Sequence, residues 1–410
     1  MNIPFSPPYI DQSVIDEVVS CLNSGWITTG PRVKALEKEI KELTNSQQVL
    51  CVNSWTSAAI MILKWLGVKK GDEVIIPAYT YSATALAVIH AGATPVMVDV
   101  ADDFNISINS IEKAITTKTK AIIPVDIAGW PCEYAEIMSL VNRAEIKSLF
   151  KSESLIQNQL ERIIVISDAA HSIGAISNDK NIGSQADIVI FSLHAVKNIT
   201  TAEGGAICLN MPEPFNNDQL YADLRMMSLN CQTKDAYTKA DAGGWRYDII
   251  GLGMKINMAD INAAVGLAQI KKLEWLMSVR KHIAEYYAKK MSEFEWAIIP
   301  PLKSISRETS YHLFPIRIKG IGENERDAII SDVSKSGVAL NVHFIPLPML
   351  TYFKELGYKI EDYPVAFINY AREISLPIYP QLTNEHIDYI VEQLEKSYQK
   401  IQLKRNDSDI

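Results

Sequence analysis

The chain has 410 residues, 48% of them hydrophobic and 21% charged, the balance of a folded globular protein long enough for two cores. A formal net charge of -8 leaves no basic stripe to neutralise phosphates, which excludes nucleic acid as the main partner. Five cysteines, at 21, 51, 132, 208 and 231, form no CxxC pair or metal-ligand cluster, which suits reduced thiols in a cytoplasm and predicts no metal. The N-terminus lacks a basic region followed by an apolar core, and no run of about eighteen apolar residues occurs, so the expectation is a cytoplasmic protein without a membrane span.

In chain order, the first strand-like run is 49–52, followed by Asn53-Ser-Trp-Thr-Ser57 and a helical pattern over 58–66. Thr56 and Ser57 then stand at a helix N-terminus, where unpaired N–H groups and the helix dipole favour a phosphate; simple capping is the alternative. Short apolar runs at 73–76, 94–98, 121–125, 163–166, 188–191 and 206–209 alternate with helical stretches. That rhythm predicts βαβ units and a mostly parallel sheet between helices. The polar segment 145–161 interrupts it and reads as a surface insertion.

Asp168 ends the run that starts at Arg162, where a buried carboxylate is costly without a partner. Functional groups of open α/β sheets gather just past the carboxyl ends of strands, so Asp168 is a candidate partner for a protonated pyridine nitrogen, with a helix cap as the alternative. Lys197 follows the apolar run 188–191 and precedes the turn Glu203-Gly-Gly205. A lysine so placed can serve as a Schiff-base amine, which points to pyridoxal phosphate (PLP); a solvated surface charge is the alternative. Ser192, five residues before it, is placed to reach the same phosphate as Thr56 and Ser57.

After Asn257 a long helical pattern, 258–289, reads as a bridge to a second domain. Strand-like 313–318, a helix near 325–335, strand-like 337–344 and a terminal helix follow, the last with Ile387, Ile390, Val391, Leu394 and Tyr398 as its buried stripe. The expected division is a large domain over 1–256, a bridging helix and small α+β domain over 257–402, and a frayed tail over 403–410.

These motifs, taken with Ser24-Gly-Trp-Ile-Thr-Thr-Gly-Pro31, Gly71-Asp-Glu-Val-Ile-Ile-Pro77, Gly92-Ala-Thr-Pro-Val-Met-Val-Asp99, Asp168-Ala-Ala-His171 and Asn257-Met-Ala-Asp-Ile-Asn-Ala-Ala264, resemble the DegT/StrS family of PLP-dependent sugar-nucleotide aminotransferases. The resemblance covers nearly the whole chain and is especially close to enzymes that aminate the 4-keto position of UDP-4-keto-pentoses. It implies an α/β fold of PLP fold type I, with a seven-stranded, mostly parallel sheet sandwiched by helices and a smaller C-terminal domain. It also implies that Lys197 holds PLP covalently, Asp168 pairs with the ring nitrogen, and Thr56, Ser57 and Ser192 hold the phosphate. Tyr81 matches the aromatic that stacks on the ring, and His171 lies beside the cofactor. Asn257 matches the residue that reaches the cofactor phosphate of a neighbouring subunit, so the resemblance implies a homodimer with shared active sites. Trp26, Thr28, Thr29, Gly30, Trp245, Tyr247 and His343 match substrate-wall positions.

The implied reaction passes an amino group from an amino acid, L-glutamate in the family, through pyridoxamine phosphate to a nucleotide-linked keto-sugar at C4, for polysaccharide or amino-sugar biosynthesis. Amination at C3, sugar dehydration, and a non-catalytic regulatory role on the same fold are the alternatives. Lys197 counts against dehydration, which the family pairs with histidine at that position. Asp126 and Ser167 depart from the family pattern, and the runs 228–237 and 346–349 look particular to this chain; all four are expected near the sugar.

Overall fold

The structure is a computed structural model that describes residues 1–234 and 246–408. Its strands, in chain order, begin with β1 (Gln48–Val52), β2 (Glu73–Pro77), β3 (Thr94–Val98), β4 (Thr119–Ile122) and β5 (Ile164–Asp168). A short ribbon of β6 (Ile176–Ser177) and β7 (Lys180–Asn181) precedes β8 (Ile188–Ser192) and β9 (Gly205–Leu209). Seven of these form one sheet in the order β1-β9-β8-β5-β4-β2-β3. Neighbouring strands are parallel from β3 through β8, and β9 is antiparallel to both its neighbours.

Alternate side chains of each strand enter different cores. On one face Leu50, Ile76, Ile164, Ile166, Ile190 and Ile207 pack with the helices Trp55–Trp65 and Ser82–Ala91. On the other Val49, Cys51, Ile75, Val165, Val189 and Phe191 pack with Pro31–Thr44 and Tyr134–Asn142. Burial on both faces is why these strands read as continuous apolar runs rather than alternating ones. A third core lies around the antiparallel sheet of β10 (Ala297–Ile298), β12 (Phe314–Ile318) and β13 (Glu373–Leu376), with β11 (Arg307–Glu308) pairing instead with β6.

Four expectations change. The pattern over 258–289 is two helices, Asp260–Ile270 and Leu273–Met291, with the chain turning where the Lys272 N–H bonds the Gln269 carbonyl at 3.0 Å. The break realigns the apolar stripe: the second helix buries Leu273 and Leu276 in the large core and Ile283, Tyr287 and Met291 in the third, so it is this helix that joins the two. The stretch 337–344 forms only isolated bridges, Ile3 with Val338 and Asn341 with Ser375, instead of a strand. The segment 145–161, read as a surface insertion, is largely exposed but helical and anchored. Its helix Leu155–Leu160 buries Gln157 and Leu160, and Ser154 Oγ and Gln157 Nε2 donate to the Leu66 carbonyl at 2.8 and 3.1 Å, capping the helix beneath. The tail is helical to Ser408, because Arg405 bridges to Glu325 and donates to the Gly320 carbonyl at 2.7 Å. Among the described residues no helix is long and apolar enough to cross a membrane.

Candidate active site

The carboxyl ends of β1, β2, β5 and β8 and the start of β9 lie along one edge of the sheet, and a cavity of about 540 Å³ opens there. Lys197, Asp168, His171, Thr56, Ser192, Tyr81 and His343 all line it, so seven of the expected residues converge on one space.

Asp168 is the last residue of β5 and is 5% exposed. Its carboxylate accepts from Thr84 Oγ at 2.9 Å and from the Ala170 N–H at 3.2 Å. Burial pushes its pKa up to about 7, against the pull of those two donors and the Lys197 charge. Lys197 sits on a loop pinned by the bonds Lys197 N–H to His194 O at 3.0 Å, Leu193 N–H to Gly204 O at 2.9 Å and Thr201 N–H to Leu193 O at 2.9 Å. Its ammonium keeps part of its surface open to the cavity yet lies deep in the protein, and this burial lowers its pKa to about 8, with the Asp168 charge opposing. Burial likewise keeps His171 and His312 neutral, with pKa values well below the usual range, and lowers His343 to about 4.

At the phosphate end, Ser54 rather than Thr56 or Ser57 is the N-cap of Trp55–Trp65: its hydroxyl accepts from the Ser57 N–H at 3.1 Å. Ser57 Oγ accepts from Ser54 Oγ at 2.9 Å and does not line the cavity, while Thr56 does. Ser192, 9% exposed, ends β8 across from it. Gly205 lies against this turn so closely that a Cβ there would stand 2.7 Å from the Ser54 carbonyl carbon and 2.8 Å from the Trp55 nitrogen. A glycine is required to let β9 approach the cap.

This donor set fits PLP. Among the described residues the Lys197 ammonium has no hydrogen-bond or ion-pair partner, and His171 Nδ1 is buried without one, although buried polar groups are nearly always satisfied. A cationic amine, a carboxylate at the far wall and hydroxyls at a helix N-terminus match an aldehyde, a ring nitrogen and a phosphate respectively.

Other expected residues lie elsewhere. Trp26, Thr28, Thr29 and Gly30 pack on the start of the helix Asp260–Ile270: Trp26 Nε1 donates to the Thr29 carbonyl at 3.2 Å, and the Thr28 carbonyl accepts from the Asp260 N–H at 3.2 Å. Asn257 does not cap that helix, whose N-cap is Ala259; its Nδ2 donates to Thr29 Oγ at 2.6 Å. Tyr247 is 53% exposed and outside the cavity wall, and Trp245 lies outside the described residues, as do the last residues of the run 228–237. Asp126 and Ser167, expected near the sugar, do not line the cavity. Asp126 is fully buried and accepts from the Cys132 N–H at 2.8 Å, Tyr134 Oη at 2.8 Å and Ser172 Oγ at 2.6 Å, while Ser167 Oγ shares the Tyr134 hydroxyl, so the two brace the sheet behind Asp168. Leu347 is buried in the large core, and its N–H binds the Ala78 carbonyl at 2.9 Å, so 346–349 is packing.

Several wall residues gave no motif. Thr84 orients Asp168 from the first turn of the helix Ser82–Ala91. His312, whose Nδ1 meets Asn198 Oδ1 at 3.1 Å, packs tilted against His171 with ring centres 4.5 Å apart, and Phe344 stands between His171 and Tyr81, at ring distances of 5.8 and 5.7 Å. A histidine directly before a strand was the one visible signal for His312.

The fold and this cavity together define a PLP-binding enzyme of the α/β class. Residues 8–152 and 156–395 match the model of the DegT/DnrJ/EryC1/StrS aminotransferase family, and the chain belongs to that family and is a PLP-dependent aminotransferase. It is 36% identical over 400 residues to the uncharacterised protein MJ1066 of Methanocaldococcus jannaschii, covering 96% of this chain and 97% of that one. It is 33% identical over 395 residues to the spore coat polysaccharide biosynthesis protein SpsC of Bacillus subtilis, covering 95% of each. Among solved structures, Spr1654 of Streptococcus pneumoniae, described as a sugar aminotransferase, superposes in its PMP form with a TM-score of 0.94 at 41% identity, covering 98% of this chain and all of that one. PseC of Helicobacter pylori, an aminotransferase of pseudoaminic acid biosynthesis, gives a TM-score of 0.85 at 26% identity, with coverage of 98% and 100%.

Proposed function

We propose that the protein transfers an amino group from L-glutamate to the C4 keto group of a nucleotide-linked keto-sugar, in the biosynthesis of a surface polysaccharide or related amino sugar. The observation that carries this is the convergence of Lys197 and Asp168, with Thr56 and Ser192, on one cavity. The sugar rests on the relatives: Spr1654 is described as a sugar aminotransferase, PseC serves pseudoaminic acid biosynthesis, and SpsC serves a coat polysaccharide.

Bound PLP supplies an aldehyde that takes up an amine and a ring that accepts the electron pair left when a Cα–H bond breaks. Lys197 provides the amine, and a pKa near 8 puts a usable share of it in the neutral form at cytoplasmic pH. Its neutral amine would also serve as the base toward the donor Cα proton. Asp168, fixed by Thr84 and the Ala170 N–H, would keep the proton on the ring nitrogen. Thr56 and Ser192 would hold the phosphate, and Tyr81 and neutral His171 would flank the ring.

A homodimer completes the site. Ile15, Val19 and Leu22 of the helix Gln12–Asn23 and Ile249, Ile250 and Leu252 are all exposed, apolar surface that a second copy would cover. Thr29 and Asn257 are bonded to each other outside the chain's own cavity, which supports their serving the neighbour's. The experiment is a pair of half-reactions on the PLP-loaded protein: glutamate should shift the cofactor absorbance to the PMP form, and one of a panel of nucleotide 3-keto- and 4-keto-sugars should restore it. If no ketosugar restores it, the sugar reading is wrong; if glutamate has no effect, so is the donor.

A further inference from the structure

His343 reaches the cavity on a tether that nothing in the reaction so far requires. Its Nδ1 lies 2.9 Å from Ser375 Oγ, Ser375 Oγ donates to Glu373 Oε1 at 2.5 Å, and Glu373 Oε2 accepts the His343 N–H at 3.0 Å. Ser375 and Glu373 point the same way from β13, two residues apart, and both are fully buried. Arg326, itself 1% exposed, fixes the strand end by donating to the carbonyls of Tyr370 and Glu373 at 2.6 and 3.1 Å.

The ionisation of Glu373 determines a tautomer: burial pushes its pKa up to about 8, against the Ser375 hydroxyl, the His343 N–H and the Arg326 charge. As the carboxylate, above that pH, it takes the serine proton, so Ser375 Oγ offers His343 only a lone pair and Nδ1 must carry the imidazole proton. The ring is neutral, so Nε2 is left as an acceptor, and it has no partner among the described residues. Phe5 stacks on the ring at 5.3 Å and Phe344 meets its edge at 5.1 Å, which keeps it from turning. An acceptor here suits a hydroxyl, which brings the missing proton. It is a poor neighbour for the carboxylates of an amino-acid donor, which would set lone pair against lone pair.

We propose that Glu373 is a positioning residue that acts through Ser375 to hold His343 with its Nε2 lone pair in the cavity, where it accepts a hydrogen bond from a hydroxyl of the keto-sugar. The hydroxyl rests on the proposed function above; the tautomer does not. Both parts have a test. In ¹⁵N-histidine-labelled protein at about pH 9, where Glu373 is ionised, with the His343 signals assigned by their loss in His343→Gln, the wild type should show the Nδ1–H form and Ser375→Ala should lose it, with Ser375→Thr restoring it. An Nε2–H form in the wild type, or no change in Ser375→Ala, overturns the relay. In the half-reactions, Ser375→Ala should raise the KM for the ketosugar roughly tenfold, the worth of one hydrogen bond, with a smaller change in the glutamate half-reaction. The UDP-linked 4-keto-pentose is the probe. An equal loss in both half-reactions overturns the hydroxyl assignment. A wild type inert to glutamate sinks the function instead, while the NMR still decides the relay. Glu373→Gln is the second variant: it keeps the shape and one acceptor oxygen for the His343 N–H, but its amide N–H donates to Ser375 Oγ and turns the serine proton to Nδ1, so it should likewise lose the Nδ1–H form.

Discussion

Asp168→Asn is expected to make the cofactor-free protein more stable and the enzyme far less active. The free carboxyl is held at about 7 against an ordinary 3.8, and at about 1.36 kcal/mol per unit that difference is roughly 4 kcal/mol of charge burial. Because the folded value is the higher one, the penalty is absent below pH 4, grows as the unfolded chain ionises while the folded one stays protonated, and is complete above pH 7. Asparagine removes it at little cost in contacts. Its oxygen can accept the Ala170 N–H, and its amide can donate to Thr84 Oγ, whose own proton turns to Thr80 Oγ at 3.0 Å. The variant should therefore match the wild type in urea unfolding at pH 4 and exceed it by a few kcal/mol at pH 8. With PLP bound the sign reverses, since an amide cannot hold a proton on the ring nitrogen, and turnover should fall roughly 100-fold or more. Loss of stability at pH 8, or activity within threefold of wild type, refutes the electrostatic reading of this residue.

Lys197→Ala should abolish borohydride-stable labelling by PLP, seen as the missing mass on the peptide containing residue 197, while phosphate-dependent binding of PLP persists in equilibrium dialysis. Thr56→Val and Ser192→Ala should each weaken PLP binding by roughly tenfold or more, as expected for a bond to a charged group, with little change in Tm of the stripped protein. Asp260→Ala should do the opposite. The carboxylate accepts the N–H groups of Gly30, Arg32 and Val33 at 2.8, 3.1 and 3.0 Å, so its loss strips the cap from the helix Pro31–Thr44 and should cost about 3 kcal/mol in urea unfolding, with cofactor affinity retained.

What the sequence showed and what it hid divide along the range of the interactions. Strands buried on both faces advertise themselves as unbroken apolar runs, and the residues at their ends, Asp168 and Ser192, inherit their place from the sheet edge. Lys197 was legible for the same reason, two short turns beyond β8. Asp260 was not, because the helix it caps begins 229 positions earlier at Pro31, and no local pattern links an acid to N–H groups so distant. The division of labour at the helix start was hidden for a related reason: three hydroxyl residues crowd it, and only the backbone angles make Ser54 the cap, bonding Ser57 to it and leaving Thr56 on the cavity wall. His343 and Phe344 were read as strand because their neighbours are apolar, yet the chain there pairs only at Asn341, and the side chains it delivers come to rest against β13 and the cavity. A catalytic pair set by a sheet edge can be read from one sequence. The cavity wall is assembled from stretches far apart in the chain, among them those of Phe5, Tyr81, His312 and His343, and the hydrogen-bond directions behind it, as at Glu373 and Ser375, exist only once those stretches meet.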